Sequence, residues 1–248
     1  MKLERGMQVL VTGAASGIGR AAALARRAGT TAGRAPPQFD AVAALAGEIH
    51  AAHGPMDVLM NVAGVALFGL VEDMQHADWK RVIDVNLWGT IHVIECFLPA
   101  MIGARRGHVV NIASLAGLAG LPWHAAYSTS KWGVVGLSEV LRCDLRQHGI
   151  GITVVCPGAV DTPMKHSAAV LGVDPSRPDL LALRQRFDRQ AVSPETVARM
   201  ACEAIERNRF LVVTSWDVRI LHFCKRHLSP LYHLAMISVS NLLNRLRT

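Results

Sequence analysis

Short apolar runs alternate with stretches of helical periodicity along the whole chain. Gln8-Val9-Leu10-Val11 is an apolar run that stops at Thr12-Gly13, the pattern of a buried strand entering a turn. Gly17 to Ala28, rich in Ala, Leu and Arg, reads as a helix. Asp40 is placed to cap a second helix through Val42, Leu45, Ala46 and Ile49. The alternation then repeats. Residues 57–61, 107–112, 152–156 and 210–214 read as buried strands. Helical patterns cover His76–Val85 and a continuation through Leu87 to Phe97, with Pro99 near its end, and Ala125–Arg146. A last one is opened by Ser193-Pro194-Glu195 and runs through Arg207. Residues 161–193 read as loop and short helix. Strand alternating with helix predicts an α/β domain with a doubly wound, mostly parallel sheet over residues 1–214, followed by a tail over 215–248.

Composition narrows the class. Of the 248 residues, 51% are hydrophobic and 18% charged, enough for one buried core and contrary to disorder. Cys96, Cys143, Cys156, Cys202 and Cys224 are scattered, odd in number and form no C-x-x-C pair. They read as reduced thiols in a cytoplasmic protein. Met1 to Gly6 runs directly into the first strand, which leaves no room for a signal peptide, and no uninterrupted apolar run reaches ~18 residues. The formal charge is +7, much of it late, at Arg207, Arg209, Arg219, Lys225, Arg226, Arg245 and Arg247. No zinc-finger spacing or aromatic-basic motif accompanies it, so a solvated basic surface is expected and nucleic acid is not. His108, His124 and His148 lack metal-ligand spacing and read as surface or loop residues; no metal site is expected.

The candidate chemistry lies at strand ends. Thr12 to Gly19 joins a strand to a helix, where glycine lets backbone approach a diphosphate and free helix N–H groups favour its charge. Tyr127 and Lys131 are four apart and share a helix face. A free phenol titrates near ~10, too high for a base at neutral pH, and a neighbouring ammonium favours the phenolate. Ser114 follows the strand at 107–112, at the carboxyl edge, where its hydroxyl can hold a carbonyl or alkoxide oxygen.

In combination these residues resemble the short-chain dehydrogenase/reductase family. Its Thr-Gly-x-x-x-Gly-x-Gly is matched by Thr12 to Gly19, and its Asn-Asn-Ala-Gly by Asn61-Val62-Ala63-Gly64, with Val62 the one departure. Its structural and catalytic Asn falls on Asn86, its Ser on Ser114, and its Tyr-x-x-x-Lys on Tyr127 and Lys131. Its Pro-Gly and following Thr fall on Pro157, Gly158 and Thr162. The resemblance implies a Rossmann-like fold that binds NAD or NADP through Gly13, Ser16, Gly17, Ile18, Gly19, Asn61, Ala63, Gly64, Tyr127, Lys131, Pro157, Gly158, Val160 and Thr162. It implies hydride transfer to or from an alcohol or ketone. Tyr127 would be the acid/base, Lys131 would lower its pKa, Ser114 would hold the substrate oxygen, and Asn86 would orient a water and Lys131. A homodimer or homotetramer through the helix at 87–97 and the Tyr127 helix is also implied, with Trp88, Ile91, Trp132 and Val135 as its apolar surface.

One stretch departs from the pattern. Residues 29–39 are Pro- and Gly-rich with no strand-like run, where the family has two further strands and the acidic residue that holds the adenine ribose. The expectation is a sheet lacking its second and third strands, with the first strand at the edge and an irregular, protease-sensitive segment at 30–38. Eleven extended residues reach ~36–40 Å, enough to climb back along a ~18 Å helix. Arg20 and Arg34 are candidates for a 2′-phosphate. The departure also keeps open an alternative, a scaffold that binds cofactor weakly or not at all and serves as a binding or structural protein. Residues 161–193 are the expected substrate lid, and Met164, Ala168, Ala169, Val170, Leu171, Leu180, Leu181 and Leu183 suggest an apolar substrate or a face packed on the domain. In the tail, Leu234, Ala235, Leu242 and Leu246 form an apolar stripe beside basic residues. It is expected to pack on the lid or a neighbouring subunit, or to lie peripherally on an anionic membrane.

Overall fold

The computed structural model describes residues 1–4, 6–26 and 38–247. Its strands are β1 (Val9–Val11), β2 (Val58–Asn61), β3 (Leu67–Phe68), β4 (Gly107–Ile112), β5 (Ile150–Cys156), β6 (Ala169–Val170) and β7 (Leu211–Val213). Five of them form one parallel sheet in the order β1-β2-β4-β5-β7. Among the described residues β1 pairs only with β2, so it is an edge. The segment 30–37, with the expected irregular stretch and Arg34, lies outside the described residues; Gln38, next to it, is extended.

Each apolar run is buried on both faces because helices cover both sides. Val9, Val11, Val58, Met60, Val110, Ile112 and Val155 point to one side, against Ala21 and Ala22 of α1 (Gly17–Arg26). Val197, Ala198 and Ala201 of the helix Pro194–Glu206 pack there too. The intervening Leu10, Leu59, Val109 and Ile152 point to the other side. There they meet α2 (Phe39–His53), through Val42, Ala46 and Ile49, and a long rod. The rod is α3 (His76–Ile83), a π-turn over Asp84–Trp88, and α4 (Gly89–Ala104). By length and composition it is apolar enough to cross a membrane, but Val93, Phe97 and Met101 are buried in the core, which identifies it as a core helix. Pro99 lies inside α4 and not near its end. Asp40 occupies the first turn of α2, where a carboxylate suits the helix dipole, and does not cap it.

The remaining helices are α5 (Ala125–Asp144), α6 (Met164–Ser167), α7 (Pro178–Arg189), α8 (Pro194–Glu206), α9 (Trp216–His227) and α10 (Ser229–Asn244). The lid region therefore holds more order than loop and short helix: α6, α7 and β6, which pairs in parallel with β3. Two-residue strands are too short to leave a period in the sequence. The tail packs its inner side over this region. The Tyr232 hydroxyl donates to the Gly120 carbonyl at 2.6 Å, and Trp123 Nε1 donates to Asn244 at 3.1 Å. Leu246 is buried with Trp123 and Leu180, and Arg247 bridges Glu72 and Asp73 at 2.6 and 2.9 Å.

His108, expected at the surface or in a loop, is buried in β4. Its Nε2 lies 2.8 Å from the Thr153 hydroxyl, which itself donates to the Arg209 carbonyl at 2.8 Å. The hydroxyl proton is thus used, so Nε2 is the donor. Gly151 makes the room, since a Cβ there would lie 2.3 Å from His108 Nδ1. Burial, with a smaller push from the positive N-terminus, lowers the imidazole to about 4. A free His in the unfolded chain binds its proton near ~6.5. Stability is therefore fully present above pH ~6.5 and is lost as pH falls toward about 4. Thermal unfolding in that window should fall more steeply with acid for the wild type than for His108→Gln; parallel curves would contradict the assignment.

Candidate active site

The expected residues gather at the carboxyl ends of β1, β2, β4 and β5, where open α/β sheets build their sites. After β1 the backbone turns through Gly13 at φ +70° and Gly17 at φ +52°, conformations that glycine adopts without strain. The bare Cα positions serve close packing of protein on protein. A Cβ on Gly13 would lie 2.9 Å from Ala63 backbone, on Gly17 3.0 Å from Thr162 Cγ2, and on Gly19 2.3 Å from the Gly13 carbonyl. Thr12 adds a clamp, its buried hydroxyl accepting from the Val62 and Ala63 N–H groups at 2.9 and 3.1 Å. Ala15 and Ser16 stay exposed between these contacts, and Ile18 packs on the core.

The result is a backbone cradle at the N-terminus of α1, whose first N–H groups have no intrahelical acceptor. The Gly13–Gly19 turn sits against Ala63 and Thr162, and free N–H groups at such a helix start could hold the diphosphate of a nicotinamide dinucleotide. Pro157 and Gly158 continue β5: the Pro157 carbonyl accepts from Leu115 N–H at 2.8 Å, and Gly158 N–H reaches the Thr214 hydroxyl at 3.4 Å. Val160 bridges to Val192 and its carbonyl accepts from Thr162 N–H, so Thr162 begins the lid beside Gly17.

Across from the cradle, Lys131 is 4% exposed and its Nζ donates to the Ile112 carbonyl at the end of β4, 2.9 Å away. The same Nζ lies 5.9 Å from the centre of the Tyr127 ring. Ser114 caps a one-turn helix, its hydroxyl accepting from Ala116 N–H at 3.2 Å. Asn86, fully buried in the π-turn, has its side chain engaged throughout. It accepts from Val65 N–H at 2.8 Å and donates to the Val65 carbonyl and Ser130 hydroxyl at 2.9 and 3.0 Å. The Gly64 Cβ position is 3.2 Å from Asn86 Oδ1 and 3.5 Å from Lys131 Nζ, which brings the β2 exit between the two.

Electrostatics here follow from burial. The Tyr127 phenol is pushed above its ordinary value by burial, opposed by its hydrogen bond to Ser114. Burial brings the Lys131 ammonium down to about 8. Cys156, below them at the end of β5, is held protonated by burial, which pushes it up to about 12.

Asn111, Ser138, Gly117 and Gly133 are positioning residues that the sequence did not single out. Asn61 donates to Asn111, which donates to Ser138 on α5, both at 2.9 Å, a buried polar ladder across β2 and β4. Alternating Asn at the ends of apolar strands is its only sequence signal. Gly117 and Gly133 set α5 in place: a Cβ would lie 2.6 Å from the Lys131 carbonyl on the first, 2.9 Å from Leu87 on the second. His124, expected to be a surface or loop residue, is half-buried. Its ring lies 4.4 Å from that of Phe68, tilted by 45°, the Phe68 ring lies 6.1 Å from Tyr127, and the imidazole pKa is lowered by burial.

Comparison with known proteins matches a family profile described as short chain dehydrogenase to residues 37–170, just over half the chain. The 3-oxoacyl-(acyl-carrier-protein) reductase of Thermotoga maritima is 32% identical over 192 residues, covering 66% of this chain and 78% of that protein. A short chain dehydrogenase/reductase from Burkholderia phymatum, solved in complex with NAD, superposes with a TM-score of 0.76 at 29% identity, over 91% of this chain and 96% of that one. A short-chain dehydrogenase from Streptomyces avermitilis gives 0.78 at 25% identity over 98% of each.

Gly117→Ala tests the packing of α5. Its Cβ meets backbone, not a flexible side-chain end, so the helix must shift; a stability loss of about 1–3 kcal/mol is expected. Chemical denaturation should show that loss with turnover reduced as well, and an unchanged midpoint would contradict the close approach.

Proposed function

The chain belongs to the short-chain dehydrogenase family, and on that footing we propose that it interconverts an apolar alcohol and its ketone with Tyr127 as the proton-transfer group. It is a hydride-transferring oxidoreductase that uses NAD or NADP. When bound, the nicotinamide ring supplies or accepts the hydride. The observation that carries the residue assignment is the convergence of Ser114, Tyr127 and Lys131 at the end of β4.

In the reducing direction the Tyr127 hydroxyl gives its proton to the carbonyl oxygen; in the oxidising direction the phenolate takes it from the alcohol. The Ser114 hydroxyl, hydrogen-bonded to Tyr127, is placed to hold the same oxygen. Lys131, titrating at about 8, is mostly charged at neutral pH and favours the phenolate while it stays protonated. Asn86 holds Val65 and Ser130, and thus the β2 exit against α5, next to Lys131. A water relay through Asn86 and Lys131 belongs to the same reading, supported by their shared approach to Gly64.

An apolar substrate is supported by the packing of Leu67, Met74 and Leu171 with Tyr127, by Phe68 beside its ring, and by the approach of Met164 to Gly64. We further propose a homodimer or homotetramer through α4 and α5. Trp88 and Trp132 support it, being 49% and 42% exposed, whereas Ile91 is half-buried and Val135 faces the core and leaves the expected set. A cytoplasmic location is proposed from the scattered, unpaired cysteines.

Tyr127→Phe should lower kcat at least about a hundredfold, the scale of general acid/base catalysis, with cofactor affinity measured by calorimetry nearly unchanged. Retained turnover would contradict the assignment of the proton to Tyr127.

A further inference from the structure

We propose that the outer face of α9 and α10 docks on an anionic lipid bilayer. On α9, Trp216, Ile220 and Phe223 recur at i, i+4 and i+7 and are 76%, 60% and 56% exposed. On α10, Leu231, Leu234 and Leu242 share the outward side and are 60%, 62% and 54% exposed. The inward sides are accounted for, since Val218 and Tyr232 are buried against the domain. Two consecutive helices thus carry apolar residues on the side turned to water, more than a solvated surface needs.

Charge selects the occupant. Arg219 and Arg226 flank the α9 stripe, with the Arg219 guanidinium 5.2 Å from the centre of the Trp216 ring. Arg247 is engaged by Glu72 and Asp73 and Lys225 donates to the Leu118 carbonyl, so the outward cations of the hairpin are Arg219 and Arg226, beside the acid Asp217. A second copy paired about a two-fold axis through this face would set the basic patch of Arg219 and Arg226 against an identical basic patch. A bilayer surface with anionic headgroups instead receives the aromatic and aliphatic side chains at the acyl boundary and the guanidinium groups at the phosphates. Neither helix crosses: α10 has 16 residues interrupted by His233, Ser238 and Asn241, below the ~20 that a span requires.

The inner side of the same hairpin rests on the loop before α5, through Tyr232 on Gly120, and the residues after it reach the lid region, through Leu246 with Leu180. Docking would therefore place the lid beside the lipid. None of the outward residues touches the Ser114, Tyr127 and Lys131 site, so the test does not depend on the catalytic assignment.

Flotation of the full chain with phosphatidylcholine vesicles, with and without phosphatidylserine, decides it. Binding is expected to the phosphatidylserine vesicles at low salt, falling at least about fivefold without the anionic lipid or at ~0.5 M salt. Arg219→Gln/Arg226→Gln and Ile220→Ser/Phe223→Ser should each weaken vesicle binding roughly tenfold while turnover and melting temperature hold. A chain that stays out of both vesicle fractions overturns the proposal. So does a wild-type dimer in light scattering that Ile220→Ser/Phe223→Ser splits while vesicle binding is absent.

Discussion

The Lys131 ammonium, buried at the end of β4 and donating to the Ile112 carbonyl, is the constraint on which the other parts converge. Burying it is unfavourable: its pKa falls from 10.5 to about 8, which corresponds to about 3 kcal/mol against the charged form. Because the folded value is depressed, that cost is complete below pH 8 and is relieved as pH rises toward 10.5. A core built for stability alone would place an aliphatic residue here. The chain instead keeps a cation where Tyr127, Ser114 and the β2 exit meet.

Holding it there takes most of the scaffold. The parallel ladder from β2 through β4 to β5 brings Asn61, Asn111 and Val154 into register, and the side chains of Asn61, Asn111 and Ser138 tie the sheet to α5. Gly117 and Gly133 let α5 approach the turn after Ser114 and the π-turn at Leu87 closely enough for Lys131 to reach a strand-end carbonyl. Asn86 uses its whole side chain to keep Val65 and Ser130 in place. On the other side of the same strand ends, Thr12 and the Gly13–Gly19 turn form the cradle against Ala63 and Thr162.

Much of this could be read from residues. The apolar runs at 8–11, 57–61 and 107–112 are strands because runs covered on both faces need no alternation, and the Tyr127–Lys131 spacing places both on one helix face. Gly13 and Gly17 were legible as a turn, but what their bare Cα atoms meet, Ala63 and Thr162, is long-range packing that spacing does not encode. His108 was misread because a polar residue within an apolar strand becomes acceptable only through Thr153 and the space left by Gly151, neither adjacent in sequence. The two-residue strands β3 and β6 carry too few positions for a period, and the order within the lid was missed for that reason. The direction of the Tyr127 shift was also hidden, since it depends on how fully the site excludes water, which pairwise spacing cannot show.

In the free protein burial raises the Tyr127 phenol and lowers the Lys131 ammonium to about 8. Lys131 would favour the phenolate most strongly with oxidised cofactor bound, because the nicotinamide would add positive charge to the site. The chain contains only Tyr127 and Tyr232, so Tyr232→Phe leaves one phenol whose ionisation can be followed by ultraviolet absorbance. The direct test is to titrate that phenol without and with saturating oxidised cofactor, in the presence of Lys131 and in Lys131→Met. The account predicts a phenol above ~10 in the free protein, a fall of at least about one unit on cofactor binding, and loss of that fall in Lys131→Met. A titration that the cofactor leaves unmoved, or that moves equally without Lys131, would contradict it.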